Sequence, residues 1–385
     1  MRALTVFSAV ILSAVCLFSG CERSQRSVDE RSVGVQSEKI QPLVLEYAKE
    51  FSVERFADGT ALVHIADDRD YALIPRGSTW APPANATVIR TPIDSFYLAG
   101  SATLDMFLRL DALDRVSCCS ASASNVANPD VKSAIRSGAI EYIGKYSAPD
   151  YERLLTLGQP LAIESTMIYH TPKVREQLEK LGIPVMIERA NYESELLGRL
   201  EWIKLYGLLL GKEAEATAFF EREKAKVAAL AASLSDEDPA TRPKVAFFYV
   251  SSNGYVNVRK PGDYLCKTIE LAGGRYAFDN LDSTSTDGRA QSTLNVDWET
   301  FYKEAVDADV IIYNGTIDAS TKTLDDLIAK NSLFGEFKAV QSGNVWGTGP
   351  RMYQESGAIA DVLLEFKGAI DGDVAFATQY LYRLE

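Results

Sequence analysis

The sequence predicts an α/β protein with two lobes, each built on a mainly parallel sheet, joined by a single long rigid helix. Strands and helices alternate in both halves of the chain, a long helix-forming stretch separates the halves, and one residue pattern occurs in each half. The length of 385 residues also suits two domains at about 150 residues per domain. A small β-hairpin or meander is predicted in front of the lobes.

Composition and charge narrow the function classes. The chain is 46% hydrophobic and 24% charged, which is typical of a globular protein and not of a disordered one. Its formal net charge is −13, whereas nucleic-acid binding requires clustered Lys and Arg to neutralise phosphates. We therefore expect no nucleic-acid partner.

The amino terminus has the features of a lipoprotein signal peptide, assigned to residues 1–20. Arg2 supplies the positive charge, and the apolar run 3–18 is too short to span a membrane in the mature protein. The stretch LFSGC resembles a lipobox, so Cys21 is the predicted lipidation site and residues 21–41 a lipidated tether. An uncleaved anchor is the alternative, and both interpretations predict an extracytoplasmic, membrane-anchored protein.

The remaining cysteines and the two histidines do not predict a metal site. Cys118 and Cys119 are adjacent, Cys266 is distant, and buried or free thiols are the simplest interpretation. They do not match the spacing of zinc or iron–sulfur sites. With His64 and His170 the only histidines, a nitrogen-rich metal cage is not expected.

Residues 42–85 are predicted to form the accessory β segment. Polar and apolar residues alternate here around a turn at Asp58 and Gly59, and again around 67–70. Alternation with a period of two, interrupted by turn residues, is typical of an antiparallel hairpin or meander.

Residues 86–191 are predicted to be the N-terminal lobe. Asn128 and Pro129 mark the start of one of its helices, as N-cap and first residue. The predicted elements are, in order, strand ATVIRTP, helix YLAGSATLDMFLRLDAL, strand RVSCCSA, helix NPDVKSAIRSG, strand IEYIGKY, the helix that carries Glu152, strand PLAIEST, helix TPKVREQLEKLG and strand IPVMIER.

The alternation stops at residues 192–236, which carry helix formers almost without interruption. A helix of about 25 residues would be about 38 Å long, enough to reach from one domain to the next. Gly198, Gly207 and Gly211 leave open a break into two pieces.

Residues 243–350 are predicted to be the C-terminal lobe and 351–385 a C-terminal helix. The predicted elements of the lobe are strand VAFFYVS, helix GDYLCKTIELAGG, strand RYAFD, the helix that carries Glu299, strand DVIIYN, helix TLDDLIAKN and strand NVWGTG. Alternation at this spacing predicts Rossmann-like lobes with helices on both sheet faces.

The repeated pattern is an Asp, an aromatic residue and a Glu at the start of a helix. It occurs at 150–152 and at 297–299, each time before a hydrophobic strand. The two copies therefore occupy equivalent places in the two lobes.

In the order and spacing of its motifs, the chain from about Thr87 onward resembles the substrate-binding proteins of ABC importers for ferric siderophores, haem and vitamin B12, the class III periplasmic binding proteins. The motifs are LGQPLAIES, QLEKLGIPV, GLLLGKEAEA, IELAGG and WETFYKEAVDADVII. The resemblance implies a monomer whose lobes hold a metal-chelate ligand in the cleft between them. It also implies an ABC permease and its ATPase as partners.

The resemblance further implies that Glu152 and Glu299 dock onto arginines of the permease. Two charges at a fixed separation can specify register and orientation through charge-assisted contacts. The alternative is that both are ordinary first-turn acids favoured by the helix dipole.

Ligand contacts are expected from loops at the carboxyl ends of the strands, where open α/β sheets bind their ligands. Arg pairs with carboxylate or catecholate oxygens, and Tyr stacks on a ring or ligates ferric iron. Solvated arginines, and a structural turn role for the histidine, are the alternatives. The candidates are Ser95, Tyr97, Tyr169, His170, Tyr255, Arg259, Arg289, Arg351 and Tyr353.

Other classes of function are less well supported by the sequence. No P-loop, nucleophile elbow or Cys–His pairing is present, so no enzymatic activity and no cofactor are predicted. A zinc or manganese receptor of related architecture and a surface lipoprotein without a transport role remain as alternatives. The ligand could be a ferric siderophore, haem or cobalamin.

Overall fold

The computed structural model describes residues 37–236, 238–281, 292–373 and 379–385. The predicted signal peptide, Cys21 and Arg289 lie outside these residues. Within the described part of the chain, no helix is both long and apolar enough to cross a bilayer.

The N-terminal segment forms a five-stranded sheet in the order β1-β2-β3-β4-β5. The first four strands pair antiparallel, which confirms the predicted meander, and β5 pairs parallel to β4. The strands are β1 Lys39–Ile40, β2 Phe51–Phe56, β3 Ala61–Ile65, β4 Arg69–Pro75 and β5 Thr87–Thr91.

The position of β5 corrects the predicted domain boundary. Thr87–Thr91 was expected to open the sheet of the N-terminal lobe, but it pairs with Tyr71–Pro75 of the meander. Its β-branched residues predict a strand, whereas the choice of sheet depends on packing partners distant in sequence. The accessory sheet therefore extends to Thr91.

The N-lobe is built on a five-stranded, fully parallel sheet in the order β12-β11-β6-β7-β8, with a separate β9–β10 hairpin. Asn128 caps α2 by accepting from the backbone N–H groups of Asp130 and Val131, as predicted. The elements are β6 Phe96–Leu98, α1 Leu104–Arg109, β7 Val116–Cys119, α2 Pro129–Ser137, β8 Glu141–Tyr142, β9 Gly144–Lys145, β10 Ala148–Pro149, α3 Tyr151–Leu157, β11 Ala162–Ser165, α4 Pro172–Lys180 and β12 Val185–Glu188.

The predicted helix YLAGSATLDMFLRLDAL is partly wrong. Its first residues belong to β6, and the helix α1 covers only Leu104–Arg109. Phe96, Tyr97 and Leu98 are all buried, and a short continuous apolar run is compatible with either a buried strand or a buried helix.

The segment 192–236 forms three helices instead of one, namely α5 Leu196–Glu201, α6 Ile203–Leu210 and α7 Glu213–Ser233. Gly211 ends α6 with a left-handed φ of 69°, which glycine adopts at little cost. At Gly207 a β-carbon would lie 2.5 Å from the Ala216 side chain, so only glycine allows α6 and α7 to pack this closely.

The C-lobe sheet is mixed. Its centre, where β13 pairs with β15 and β17 and β17 pairs with β18, is parallel, while β14, β16 and β19 pair antiparallel. The elements are β13 Lys244–Val250, β14 Val256–Arg259, α8 Tyr264–Leu271, β15 Arg275–Tyr276, β16 Thr293–Val296, α9 Trp298–Ala305, β17 Val310–Tyr313, α10 Leu324–Lys330, α11 Lys338–Ser342, β18 Val345–Thr348, α12 Ile359–Asp371 and β19 Leu381–Arg383.

The C-terminal segment 351–385 is not all helix. Helix α12 ends at Asp371, and β19 returns to pair with β18. Since Leu381 is buried against the sheet, an edge strand covers more apolar surface here than a longer helix would.

Helix α7 spans the distance between the accessory sheet and the C-lobe. Its 21 residues extend about 31 Å. At its start Glu213 pairs with Arg55 of β2 at 2.7 Å, and further along Lys226 pairs with Asp361 of α12 at 2.8 Å. Helix α7 therefore contacts both the accessory sheet and the C-lobe.

The buried carboxylate of Glu201 attaches the loop before β2 to the end of α5. Glu201 accepts from the backbone N–H groups of Glu46, Tyr47 and Ala48, and from the Lys204 ammonium at 2.7 Å. Burial raises the pKa of Glu201, but these donors outweigh burial and the net pKa is lowered. The ionised carboxylate therefore stabilises the contact between loop and helix.

We expect Glu201→Gln to lower the free energy of unfolding by about 3 kcal/mol at pH 7, because it leaves buried donors unpaired. Chemical denaturation measures this, with the exposed Glu221→Gln as control. Since the folded pKa is lowered, the stabilisation is present above the ordinary Glu value of about 4.3 and is lost as pH falls through the folded pKa. Equal stability of the two variants at pH 7 would contradict the role of Glu201.

Candidate functional site

A cavity of about 280 Å³ lies between the two lobes. The N-lobe contributes Thr103, which follows the carboxyl end of β6, and Glu188, which is the last residue of β12. The C-lobe contributes Tyr353 and Glu355 from the loop after β18, and Tyr264 from the start of α8. The cavity thus occupies the crevice at the carboxyl ends of strands in which open α/β sheets bind ligands.

Helices α5 and α6 form a further wall. Arg199, Trp202 and Tyr206 line the cavity and are spaced at i, i+3 and i+7, which places them on one helical face. The sequence analysis assigned this segment to a bridging helix and did not consider its side chains as ligand contacts. The sequence signal that could have predicted these contacts was an Arg and two aromatic residues at this spacing.

The cavity contains an acidic and a basic side chain. Glu188 accepts from the Ala190 backbone N–H at 2.8 Å and from the Thr103 hydroxyl at 3.3 Å, and burial raises the pKa of its carboxyl group. Arg199 donates to the backbone carbonyls of Glu193 and Asn191, and burial lowers the pKa of its guanidinium.

Aromatic rings and arginines alternate along the C-lobe wall. The Arg199 guanidinium lies 3.5 Å from the centroid of the Tyr264 ring, a short cation–π distance. The Tyr353 hydroxyl accepts from Arg259 at 2.6 Å and from the Asn314 amide at 3.3 Å. Tyr353 thus lines the cavity as predicted, while Arg259 lies behind it.

Direct hydrogen bonds connect the lobes next to the cavity. The Asn128 amide donates to Glu355 at 3.0 Å, and the Gly357 backbone N–H donates to Asp105 at 2.8 Å. The Ser356 hydroxyl donates to the Ala102 carbonyl at 2.8 Å. The two lobes are therefore in direct contact beside the cavity.

The side chains that connect the lobes next to the cavity form a polar seam. Arg351 takes part in this seam and does not line the cavity. Its Nη2 donates to Glu355 at 2.9 Å, and its guanidinium faces the Tyr380 ring at 5.6 Å. Because Glu355 also accepts from the Tyr380 hydroxyl at 2.8 Å, Arg351 is committed to a buried network.

Two of the predicted N-lobe ligand contacts, Ser95 and Tyr97, do not line the cavity. Ser95 precedes β6 and so lies at the amino end of the sheet, opposite the cavity. Tyr97 is inside β6 with 0% exposure, in a hydrophobic cluster with Cys118 and Leu154. The reason is the reassignment of Thr87–Thr91, which makes β6 the first strand of this sheet.

Tyr169 and His170 lie at the junction with the accessory sheet. The Tyr169 hydroxyl accepts from Arg189 at 2.9 Å, and Arg189 pairs with Glu50 at 2.7 Å. His170 is exposed at the end of a 3₁₀ turn before α4. Neither residue lines the cavity, and Tyr169 holds the accessory sheet against the N-lobe.

Tyr255 lies on the surface of the C-lobe, 53% exposed, in the loop between β13 and β14. This loop contacts α9, since the Trp298 indole donates to the Gly254 carbonyl at 2.9 Å. Tyr255 does not line the cavity.

The repeated pattern has the same local structure in both lobes. Asp150 caps α3 by accepting from the Arg153 N–H, and Asp297 caps α9 by accepting from the Thr300 N–H. Glu152 and Glu299 are exposed in the first turns of these helices. The structure therefore presents one equivalent acid on each lobe.

The cysteines within the described residues are buried free thiols, as predicted. Burial raises the pKa of Cys119 to about 11 and that of Cys118 to about 12. Among the side chains that the structure describes, no group of three or more His, Cys, Asp or Glu residues could hold a metal ion.

Comparison with known proteins identifies the family. The model of the family described as periplasmic binding protein matches residues 98–352, more than half of the chain. The protein belongs to the periplasmic binding protein family. This agrees with the inter-lobe cavity, and the family is one of binding proteins.

Two curated relatives are uncharacterized lipoproteins of Methanocaldococcus jannaschii. One is 24% identical over 376 residues, which cover 92% of this chain and 91% of the relative. The other is 27% identical over 218 residues, and this match covers 56% of the chain and 49% of the relative. The chain therefore spans about half the length of that second relative.

Solved structures share the fold at low sequence identity. A periplasmic binding protein from Veillonella parvula has a TM-score of 0.60 and 17% identity, covering 84% of this chain and 98% of its own. A periplasmic heme-binding protein from Pseudomonas aeruginosa has a TM-score of 0.57 and 16% identity, covering 76% and 98%. A petrobactin-binding protein from Bacillus subtilis has a TM-score of 0.57 and 14% identity, covering 72% and 92%.

Glu164 of β11 is a buried acid with no role in the cavity. It is 1% exposed, and neither carboxyl oxygen has a hydrogen-bond partner among the described residues. Burial raises its pKa to about 8. The unfolded chain therefore releases this proton at lower pH than the folded protein does.

Because the folded pKa is raised, Glu164 should make the protein less stable as pH rises from about 4.5 to about 8. We expect the free energy of unfolding of Glu164→Gln to gain about 4 kcal/mol relative to that of the wild type as the pH rises across this range. Denaturation of both proteins at pH 5 and pH 8.5 measures the difference. A stability difference that is the same at both pH values would contradict a neutral, buried Glu164.

Proposed function

We propose that this protein is the extracytoplasmic solute-binding component of an ABC importer. It captures an iron chelate, that is a siderophore complex or haem, or cobalamin, in the inter-lobe cavity and delivers it to a permease driven by a cytoplasmic ATPase. The observation that carries the proposal is a cavity between two α/β lobes, each of which presents an equivalent exposed acid. Lipid attachment at Cys21 would keep the protein at the membrane.

Similar structures support the ligand class. The neighbours include the heme-binding and petrobactin-binding proteins, and a structure from Listeria monocytogenes is an ABC transporter substrate-binding protein. Lipoproteins among the curated relatives support an extracytoplasmic location. The chemistry of the cavity supports binding, since it combines apolar and aromatic walls with a few polar groups.

Ligand capture requires the lobes to separate and close again. The cavity of about 280 Å³ is at the lower end of the range of about 300–1,000 Å³ for small-molecule sites. A ligand larger than this volume enters only if the hydrogen bonds of Asn128 to Glu355 and of Gly357 to Asp105 open. Since α7 contacts both ends of the molecule, the opening is expected to be a limited rotation.

Docking onto the permease is assigned to Glu152 and Glu299. Both lie in first turns whose N-caps are satisfied by an Asp, so their carboxylates are not needed for capping. Within the described residues neither forms an ion pair. Two unpaired acids on separate lobes are suited to arginines arranged with matching separation.

A thermal-shift panel tests the ligand class. Ferric siderophores, haemin, cobalamin, zinc and manganese are added separately to the purified protein. We expect stabilisation by one chelate class, about 2.7 kcal/mol at a ligand concentration of 100 Kd. A response to free divalent ions alone would contradict the proposal and favour a metal-ion receptor, and no response at all would count against a chelate receptor.

Uptake by cells tests docking. We expect Glu152→Ala combined with Glu299→Ala to reduce transport by at least tenfold while ligand affinity stays unchanged, because each loses a charge-assisted contact to the permease. The control pair is Glu176→Ala with Asp325→Ala, which removes one exposed acid from each lobe. Equal transport by both double variants would show that docking does not depend on Glu152 and Glu299.

A further inference from the structure

Arg199 is a cation that lines the cavity and has no acidic side chain in direct contact with it among the described residues. Within the residues that the structure describes it makes no ion pair, and its hydrogen bonds go to the backbone carbonyls of Glu193 and Asn191. Other partly buried arginines do have acidic partners, such as Arg189 with Glu50 and Arg351 with Glu355. Asp263 and Glu188 favour its positive charge from a distance, but neither contacts the guanidinium. A charge removed from water is normally paired, so Arg199 is suited to contact an anionic group of a ligand.

The acids around Arg199 are committed to other groups. Glu188 accepts from Ala190 and Thr103, and burial raises the pKa of this acid, which favours its neutral form. Asp263 caps α8 through the Leu265 N–H at 3.0 Å. Glu355 is held by Arg351, Asn128 and Tyr380.

The second cation near this wall adds to the positive potential. Arg259 donates to the Tyr353 hydroxyl, which itself lines the cavity, and the Arg259 guanidinium lies 5.6 Å from the Tyr353 ring. Proximity to Arg259 also opposes the positive charge of Arg199. An anion bound between the two arginines would relieve that repulsion.

Tyr206 provides an unused polar group in the same cavity. Its side chain is 1% exposed and lines the cavity. Its hydroxyl interacts with the Thr103 side chain, which donates to Glu188, but has no well-aligned hydrogen-bond partner in the described part of the chain. A buried hydroxyl without a partner is costly unless a ligand or water supplies one. Tyr206 lies on the same helical face as Arg199 and Trp202.

We infer that the cavity recognises a compact anionic ligand, whose carboxylate or equivalent oxygen-rich group binds the Arg199 guanidinium and accepts from the Tyr206 hydroxyl. The apolar part of the ligand packs on Trp202 and Tyr264. This inference rests on the proposed function and narrows it, because the volume of about 280 Å³ and the unpaired cation favour a small carboxylate chelate over a large neutral complex. Arg199 and Tyr206 then determine specificity.

The test uses four probes with different charge and size: ferric citrate, metal-free citrate, the cationic ferric complex of desferrioxamine B, and cyanocobalamin. Binding to the full chain is followed by calorimetry and, for the non-absorbing citrate, by the intrinsic tryptophan fluorescence, to which Trp202 in the cavity wall contributes. The variants are Arg199→Gln, Arg199→Lys and Tyr206→Phe. The control is Arg222→Gln, which removes a 59% exposed arginine of α7.

We expect ferric citrate to bind the wild-type protein most tightly of the four probes. Arg199→Gln should weaken its binding about 10- to 100-fold, as expected for the loss of a charged hydrogen bond. Arg199→Lys should recover part of the affinity, because the charge remains but the planar fork does not. Tyr206→Phe should weaken binding about fivefold, and Arg222→Gln should leave it unchanged.

The outcomes separate this inference from the proposed function. If a chelate binds wild type and Arg199→Gln equally well, the anion site is overturned while the receptor function stands. If only metal-free citrate binds, and Arg199→Gln abolishes its binding, the anion site stands and the chelate function fails. If none of the four probes binds the wild type, the anion site is overturned, and the thermal-shift panel with haemin and further siderophores decides the proposed function. The melting temperature of each variant is compared with that of the wild-type protein. An unchanged melting temperature excludes misfolding as the cause of lost binding.

Discussion

The position of helix α5 depends on two buried carboxylates, and the cavity depends on α5. Glu201 accepts from three successive backbone N–H groups of the loop 46–48, and Glu193 accepts from Lys49, Glu50 and the Trp202 indole. Charged hydrogen bonds to backbone groups in a buried site are strong and directional. The accessory sheet therefore fixes the helix that carries Arg199 and Trp202, although it lines no part of the cavity itself.

The second constraint is the polar seam between the lobes. Each lobe supplies both an acceptor and a donor, since Asp105 accepts from Gly357 and Glu355 accepts from Asn128. Asn128 also caps α2, so closing the lobes and ordering that helix involve the same side chain. Buried polar groups are costly when they are unpaired. The seam therefore favours either an arrangement in which all of its hydrogen bonds are formed or one in which its groups are open to water, and it disfavours intermediate arrangements.

Sequence reasoning was accurate where local rules decide structure. The N-cap at Asn128, the helix starts at the two copies of the repeated pattern and the meander all formed as predicted, because caps and alternation depend on neighbouring residues. It was wrong where packing decides, as for the sheet joined by Thr87–Thr91 and the division of 192–236 into three helices. Of the nine predicted ligand contacts, only Tyr353 lines the cavity among those that the structure describes.

By itself, the sequence determined the two-lobe α/β class, the equivalent acids at Glu152 and Glu299 and the resemblance to binding proteins, since these follow from periodicity, capping and motif order. Only the tertiary structure decided which side chains meet at the cavity. Arg199 of α5 and Tyr206 of α6 belong to a segment that the sequence presented as a simple connector, and the packing of this segment brings both side chains to the cavity. The physical reason is that a ligand site is made by contacts between elements distant in sequence, which no local pattern encodes.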